Sequence, residues 1–337
     1  MRILFLLITL FTGIAWGQPA ITLDKIWTQG TFYPSRMYNL KTLQHAPQYT
    51  VLEYSPADGA QEINLYDFAT LTKVKTIFRA ADHKQFVRLN SYTFTPNEQQ
   101  LLIAVNSEYI YRHSFVADYY LYDLATGKLQ KISNDKIQSP LVSPDGKKIA
   151  FARNNDLYVY DLATGKEKRI TTDGAKNKII NGIADWVYEE EFSTVRFFDW
   201  NADGTQLAFV RFDEQQVPEF SMDVYGTGLY PTQQTFKYPK AGEPNSVVSL
   251  HIYDLAKAKT TPITLEAYYI PRLQWSNNPK YLTVQTLNRH QNDWQLLQVD
   301  AQTFQTRPLV IEKSKTYVEI NDKITFLADN SFIYQSE

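Results

Sequence analysis

Three consecutive glutamates, Glu189, Glu190 and Glu191, stand between large aromatic residues in the octapeptide DWVYEEEF at residues 185–192. Carboxylates held a few ångströms apart raise one another's pKa unless a cation compensates their charge. An ammonium group carries three N–H donors, so it relieves the repulsion and fills the acceptor positions of the oxygens. A solvated acidic turn is the alternative that charge alone would favour. The flanking aromatic residues and the surrounding sequence favour a binding site for an amine.

The surrounding sequence contains the segments NGIADWVYEEEF at 181–192, RFDE at 211–214, VPEF at 217–220 and FKYPKAGE at 236–243. With these segments, the chain from about Ile21 to Glu337 resembles the dipeptidyl peptidase IV family, serine exopeptidases of the prolyl oligopeptidase clan. Upstream, YRHS at 111–114 stands where the family has a second substrate contact. The chain is therefore identified as a member of this family.

The resemblance implies that Glu190 and Glu191 hold the free N-terminal ammonium of a peptide substrate. It also implies that Arg112 holds a carbonyl of the second substrate residue. The residue types suit these roles, because carboxylates accept charge-assisted hydrogen bonds and a guanidinium is a permanently charged donor. Glu189 and His113 are further candidates for the substrate pocket.

Two alternatives stay open at these positions. Adjacent residues of a turn or short helix point in different directions, so Glu189, Glu190 and Glu191 cannot all face one ligand equally. Taken alone, Arg112 would be explained by a structural ion pair, with Asp118 or Asp123 as its partner.

The catalytic residues of the family lie in an α/β-hydrolase domain near the C-terminus, with the serine in a G-x-S-x-G motif. The 337 residues contain no such motif, and the sequence stops at FIYQSE, within a predicted strand. We therefore expect a fragment that lacks the hydrolase domain and is inactive by itself. The five histidines are interpreted as surface or structural residues, so no catalytic residue is assigned.

The N-terminus has the pattern of a secretory signal peptide, with Arg2 before the apolar run Ile3–Ile14 and small residues at 15–17. Cleavage after Gly17 leaves residues 18–337 as an exported protein of the periplasm or the extracellular space. The apolar run is shorter than the roughly 20 residues of a membrane-spanning helix, so no stable membrane anchor is expected.

The composition excludes several classes of site. Without cysteine the chain has neither a disulfide nor a thiolate metal site, and the sequence shows no metal-spaced cluster of His, Asp and Glu. A net charge of −2 gives no reason to expect nucleic acid as a partner. We expect neither a metal nor a cofactor. Aromatic residues make up 14% of the chain, which favours strands over helices.

Two alternating motifs predict the architecture. Copies of Tyr-Asp-Leu-Ala, or close variants of it, begin at Tyr66, Tyr122, Tyr160 and Tyr253, with a weaker copy at Val299. Between them recurs a Pro/Asn/Asp/Gly turn that leads into an alternating strand. This pattern is typical of an all-β fold, a β-propeller of four-stranded antiparallel blades. We predict about five to six blades of the eight that the family has.

The long interval between Tyr160 and Tyr253 must contain an insertion. The resemblance implies that the acidic run forms a short helical segment over the mouth of the propeller. It also implies that residues from about Val217 to Asn245 form an extended arm used in homodimers. Tyr230, Phe236 and Tyr238 are the candidate contacts of this arm.

The sequence thus predicts the substrate-binding portion of an exported serine-type dipeptidyl peptidase, for which the family prefers proline or alanine at the second substrate position. Its partners would be peptides with a free N-terminus. The alternative is a noncatalytic β-propeller that serves as a binding or interaction protein. A carbohydrate- or metal-binding propeller finds little support, because no calcium-loop pattern occurs.

Overall fold

The computed structural model describes residues 20–34, 37–86, 88–320, 322 and 324–336. The predicted signal peptide, residues 1–17, lies outside the described residues. Within the described ranges, no helix has the length and apolar character needed to cross a membrane. The helical elements are α1 Leu23–Trp27, a 3₁₀ helix Ala80–Asp82 and α2 Trp186–Phe192.

In the described part of the chain, five larger sheets, here called blades 1 to 5, follow one another. Blade 1 contains β1 Tyr38–Thr42, β2 Gln48–Tyr54, β3 Gln61–Asp67 and β4 Lys73–Arg79. Blade 2 contains β5 Leu89–Phe94, β6 Gln100–Tyr109, β7 Phe115–Asp123 and β8 Leu129–Lys131. Blade 3 contains β9 Gln138–Val142, β10 Lys148–Arg153, β11 Asp156–Asp161 and β12 Lys166–Arg169. Blade 4 contains β13 Ile179–Asn181, β14 Phe198–Trp200, β15 Gln206–Asp213, β18 Val247–Asp254 and β19 Lys259–Ile263. Between β15 and β18 the chain forms a separate hairpin of β16 Glu219–Val224 and β17 Thr232–Lys237. Blade 5 contains β20 Tyr269–Trp275, β21 Tyr281–Leu287, β22 Asp293–Asp300 and β23 Thr306–Lys313, and a last hairpin pairs β24 Thr325–Phe326 with β25 Phe332–Ile333.

These sheets confirm the predicted propeller blades and their number. In every sheet the strands pair antiparallel, and in blades 1, 2, 3 and 5 each strand pairs with the next one along the chain. Within the part of the chain that the structure describes, the blades do not close into a ring.

The repeated Tyr-Asp motif, with Val299-Asp300 as its variant in blade 5, ends the third strand of each blade. In blade 3 the side chain of Asp161 accepts hydrogen bonds from the backbone N–H groups of Ala163 (3.1 Å) and Thr164 (2.9 Å). The hydrogen bonding from Thr164 is the largest cause that lowers the pKa of Asp161, and the bond from Ala163 adds to it. A carboxylate that bonds the backbone two and three residues on is a usual way to close a tight turn. The motif therefore encodes the hairpin to the fourth strand.

Two tryptophans beside the second repeated motif, the Pro/Asn/Asp/Gly turn, join consecutive blades. The indole N–H of Trp200 in blade 4 donates to the carbonyl of Leu141 in blade 3 at 3.0 Å. In the same way, Trp275 in blade 5 donates to the carbonyl of Asp199 in blade 4 at 3.0 Å. Both indoles are buried in the core shared by blades 3, 4 and 5. Blade 4 is thus fixed to blades 3 and 5 by polar contacts within an apolar interface.

Blade 4 carries both predicted insertions. α2 lies between β13 and β14, which pair with different parts of β15, so the innermost strand of this blade is split by the helix. The hairpin of β16 and β17 lies between β15 and β18. The structure therefore confirms the inserted acidic helix and the extended arm.

We predict that Trp275→Phe lowers the free energy of unfolding by about 0.5–1.5 kcal/mol, because it removes the indole N–H that donates to the Asp199 carbonyl while most of the ring remains. Urea unfolding of the protein would measure the change. Trp27→Phe is the matched control, since the side chain of Trp27 is 74% exposed. Equal unfolding curves for parent and Trp275→Phe would contradict the proposed role of the inter-blade bond.

Candidate substrate-binding site

The acidic run folds as the seven-residue helix α2, and Asp185 caps its N-terminus. The Asp185 side chain accepts a hydrogen bond from the backbone N–H of Tyr188 at 2.9 Å. The Ser246 hydroxyl donates to the other carboxylate oxygen at 2.5 Å. Because Asp185 is buried, desolvation raises its pKa despite these bonds. At the C-terminal end, Ser193 adopts a left-handed conformation with φ 52°, which stops the helix.

Tyr188 anchors α2 in blade 4. Its ring is fully buried and makes edge-to-face contacts with Phe212 (centroids 4.8 Å apart) and Phe197 (5.3 Å). The backbone N–H of Ile270 donates to its hydroxyl at 3.1 Å. Phe192, one helical turn further on, is buried on the same side and contacts the Tyr188 ring at 5.0 Å. The two rings fix both the position and the rotation of the helix.

The three glutamates have different surroundings. Glu189 has no exposed surface, and its Oε1 accepts hydrogen bonds from the backbone N–H groups of His113 (2.6 Å) and Ser114 (2.8 Å). Glu190 forms an ion pair with Arg112 at 3.2 Å. Glu191 is exposed. Consecutive carboxylates of one helix thus reach a buried backbone, a guanidinium and solvent.

Arg112 lies in the turn between β6 and β7, so blade 2 supplies the cation opposite α2. Its side chain is 72% exposed, whereas that of Glu190 is 15% exposed. The alternative partners are engaged elsewhere, since Asp118 pairs with Lys131 at 2.9 Å and Asp123 closes its own hairpin turn. The ion pair therefore joins the two predicted site residues instead.

His113 lies in the Arg112 turn, and the candidate residues of the arm lie at its base and at its tip. The side chain of His113 is exposed, and its backbone N–H is the group that contacts Glu189. Phe236 and Tyr238 lie at the base of the arm, where their rings contact Tyr111 (5.9 Å) and Trp186 (4.4 Å). Tyr230 lies between the two arm strands and is 86% exposed. The base of the arm thus borders the site, and its tip faces solvent.

A cavity of about 470 Å³ adjoins the Arg112 turn. Connections of blades 2, 3 and 4 meet there, and its lining includes Tyr111, Ser114, Asn155, Glu214 and Phe236. Glu214 is buried, and burial followed by repulsion from Asp185 raises its pKa to about 7. The site thus contains a carboxyl group that titrates near neutral pH.

A second, larger cavity of about 860 Å³ is lined by residues of the segment 312–336, among them Tyr317 and Glu319. Burial raises the pKa of Tyr317, and the charges of Glu319 and Glu191 add to the effect. Among the residues with described positions, no group of three His, Asp or Glu side chains could hold a metal ion.

Sequence reasoning did not identify the buried supports of the site, namely Asp185, Tyr188, Glu214 and Ser246. Two of them had a local signal. An aspartate directly before a helical run is a typical N-cap, and Tyr188 and Phe192 are spaced i, i+4 as residues of one buried face are. Glu214 and Ser246 had none, because their roles come from contacts with residues far away in the sequence.

Residues 95–337 match the sequence profile of a family described as the dipeptidyl peptidase IV (DPP IV) N-terminal region. Probable dipeptidyl peptidase 4 of Neosartorya fischeri is 33% identical over 234 residues, which are 65% of this chain and 30% of that protein. Dipeptidyl peptidase 4 of Felis catus is 34% identical over 223 residues, which are 60% of this chain and 29% of that protein.

The crystal structure of Porphyromonas gingivalis dipeptidyl peptidase 4 superposes with a TM-score of 0.86 at 35% identity, over 95% of this chain and 46% of that one. A putative dipeptidyl aminopeptidase IV from Bacteroides ovatus has the same fold, with a TM-score of 0.68 at 21% identity, over 90% of this chain and 41% of that one. The chain therefore spans less than half the length of the relatives that it matches.

The raised pKa of Glu214 predicts a pH-dependent stability. Its pKa is about 7 in the folded protein against an ordinary value of 4.5. Between these values the folded state binds more protons than the unfolded state, so the stability that Glu214 contributes is highest at low pH and falls as the pH rises through about 7. Glu214→Gln cannot ionise, and its free energy of unfolding relative to the parent should rise by on the order of 2 kcal/mol from pH 5 to pH 8.

Urea unfolding of parent and Glu214→Gln at both pH values measures this difference. Glu266→Gln, at an exposed position, is the control for the effect of a changed net charge. A constant difference between parent and Glu214→Gln across this range would show that Glu214 does not titrate there.

Proposed function

The chain belongs to the dipeptidyl peptidase IV family, and from this premise we propose that it binds the free N-terminus of peptides for an exported serine-type dipeptidyl peptidase. The observation that carries the proposal is the 3.2 Å ion pair between Arg112 and Glu190, with the exposed Glu191 beside it. Glu190 and Arg112 come from separate blades, and together with the adjacent Glu191 they are here called the charged cluster.

The charge of this cluster supports an amine ligand. Glu190, Glu191 and Arg112 together carry one net negative charge, which a substrate ammonium neutralises. Glu190 uses Oε2 for Arg112, so its other oxygen is available to the ammonium together with the carboxylate of Glu191. The guanidinium of Arg112 carries five N–H donors and can bond a substrate carbonyl while it stays paired with Glu190.

The geometry also supports recognition of a length of two residues from the substrate N-terminus. α2 is fixed by buried aromatic rings, so the acceptors of the ammonium stay at a constant position relative to Arg112. A peptide held at its ammonium and at the carbonyl of its second residue presents the next peptide bond at a fixed distance. In our proposal, acyl transfer there is performed by the serine, histidine and aspartate of a hydrolase domain, with proline or alanine preferred at the second position.

Export is a further part of the proposal, and it is supported by the apolar N-terminal pattern of residues 1–17. A homodimer formed through the arm is supported by apolar side chains at its tip. Leu229 and Tyr230 are 98% and 86% exposed there. Exposed apolar residues that cluster on a projecting hairpin favour a protein partner.

Glu190→Gln and Glu191→Gln should each lower kcat/KM for free-amine peptides about ten- to hundredfold in the complete protein, because a charge-assisted bond is worth about 1.5–3 kcal/mol. Hydrolysis of Ala-Pro-p-nitroanilide would be compared with hydrolysis of its N-acetylated form. The acetylated peptide should already be a poor substrate, and the same variants should barely change its turnover. Arg112→Ala should lower turnover with less dependence on the free amine.

Equal losses on free and acetylated peptides would show that these acids only support the fold. Titration calorimetry with Ala-Pro-amide distinguishes the alternative of a noncatalytic binding propeller. In that case the peptide binds, the two variants weaken its binding, and no hydrolysis is detected.

Leu229→Ser combined with Tyr230→Ser should shift the complete protein from dimer to monomer, because it removes the apolar surface at the tip of the arm. Sedimentation velocity measures the mass. Leu71→Ser is the matched control, since Leu71 is 68% exposed in blade 1. An unchanged dimer mass in the tip variant would contradict the role of the arm.

A further inference from the structure

We infer that Glu189 is a positioning residue that holds the Arg112 turn against α2, and that it does not itself contact the substrate ammonium. This inference rests on the proposed function, because the turn and the helix are the two halves of the proposed site. It gives the first glutamate of the run a task distinct from that of Glu190 and Glu191.

The geometry of the Glu189 carboxylate carries the inference. Its Oε1 accepts the N–H groups of two consecutive residues, His113 at 2.6 Å and Ser114 at 2.8 Å. These residues directly follow Arg112 in the chain. A carboxylate that bonds two adjacent amides fixes both the position and the orientation of that backbone, and charge-assisted bonds of this kind are stronger than neutral ones.

Two further hydrogen bonds of the turn are internal. The N–H of Ile110 donates to the carbonyl of Ser114 at 2.8 Å, and the N–H of Tyr111 donates to the Ser114 hydroxyl at 3.3 Å. Such bonds define the shape of the turn but do not determine its distance from blade 4. That distance depends on contacts across the two blades, and Glu189 supplies two hydrogen bonds of this kind.

The helix α2, which carries Glu189, is held rigidly in blade 4. Glu189 directly follows the fully buried Tyr188 in α2, and its own N–H donates to the carbonyl of the cap residue Asp185 at 3.1 Å. The next residue, Glu190, reaches Arg112 itself. Successive glutamates of the helix therefore bind successive residues of the turn, and the buried bond aligns the exposed ion pair.

Burial makes a direct substrate contact by Glu189 unfavourable. The residue has no exposed surface, and Oε1 already serves two donors. Within the described residues, Oε2 is buried without a hydrogen-bond partner. A buried carboxylate oxygen without a donor is costly. The variant Glu189→Gln keeps an oxygen acceptor in place of Oε1 but carries no charge. It therefore distinguishes a positioning role of Glu189 from charge pairing with the ligand.

The test compares Glu189→Gln with Glu189→Ala in the complete protein. Hydrogen exchange of the backbone amides of residues 110–116 is followed by mass spectrometry, and the affinity for Ala-Pro-amide is measured by titration calorimetry. Glu189→Ala should speed the exchange of this segment at least tenfold and weaken binding about tenfold. Glu189→Gln should stay within about threefold of the parent in both measurements. Glu266→Ala is the control for a distant, exposed glutamate.

The outcomes separate this inference from the proposed function. Unchanged exchange of 110–116 in Glu189→Ala overturns the inference whatever the binding data show. Equal loss of affinity in the Gln and Ala variants also overturns it, because it would assign Glu189 a charge contact with the ligand. The proposed function fails instead if the parent protein binds Ala-Pro-amide and its N-acetylated form equally. In that case the exchange data still decide whether Glu189 holds the turn.

Discussion

The burial of Tyr188 and Phe192 is the interaction on which the rest of the site depends. A helix of seven residues has too few internal hydrogen bonds to be stable in water by itself. α2 persists because these two rings, one turn apart, pack among the aromatic residues of blade 4. Once that face is buried, the helix cannot rotate. The directions of the three glutamates follow from it.

Burial separates the carboxylates of the site into an enclosed group and an accessible group. Asp185, Glu189 and Glu214 are enclosed, and each has a task inside the protein or a raised pKa. Glu190 and Glu191 keep access to solvent and are the acids that we propose for a ligand. An enclosed carboxylate costs desolvation free energy and must be hydrogen-bonded, whereas an accessible one can exchange water for an ammonium. The same residue type thus supports the site at some positions and forms its surface at others.

The propeller brings these groups together because its blades place the connections of distant chain segments on one face. The Arg112 turn belongs to blade 2, and α2 is an insertion in blade 4, so some 75 residues of chain separate the partners. Neither blade alone contains the charged cluster. The inter-blade bonds of Trp200 and Trp275 show how buried polar contacts keep such blades in register. Precision at the site is therefore a property of the interfaces between sheets.

The sequence by itself determined the blades, because the Tyr-Asp turn and the alternating strands are local signals whose physical basis lies within a few residues. It also determined the types of the site residues, through the acidic run and its aromatic neighbours. Residue types and spacing alone could not show which of the adjacent glutamates Glu189, Glu190 and Glu191 is buried, and only the resemblance to a known family distinguished Glu190 and Glu191 from Glu189. The tertiary structure decided their surroundings, since burial against blade 2 and the distance to Arg112 depend on how the sheets pack. Packing between segments remote in sequence leaves no local pattern. For that reason the raised pKa of Glu214, which results from burial, could not be predicted from the sequence either.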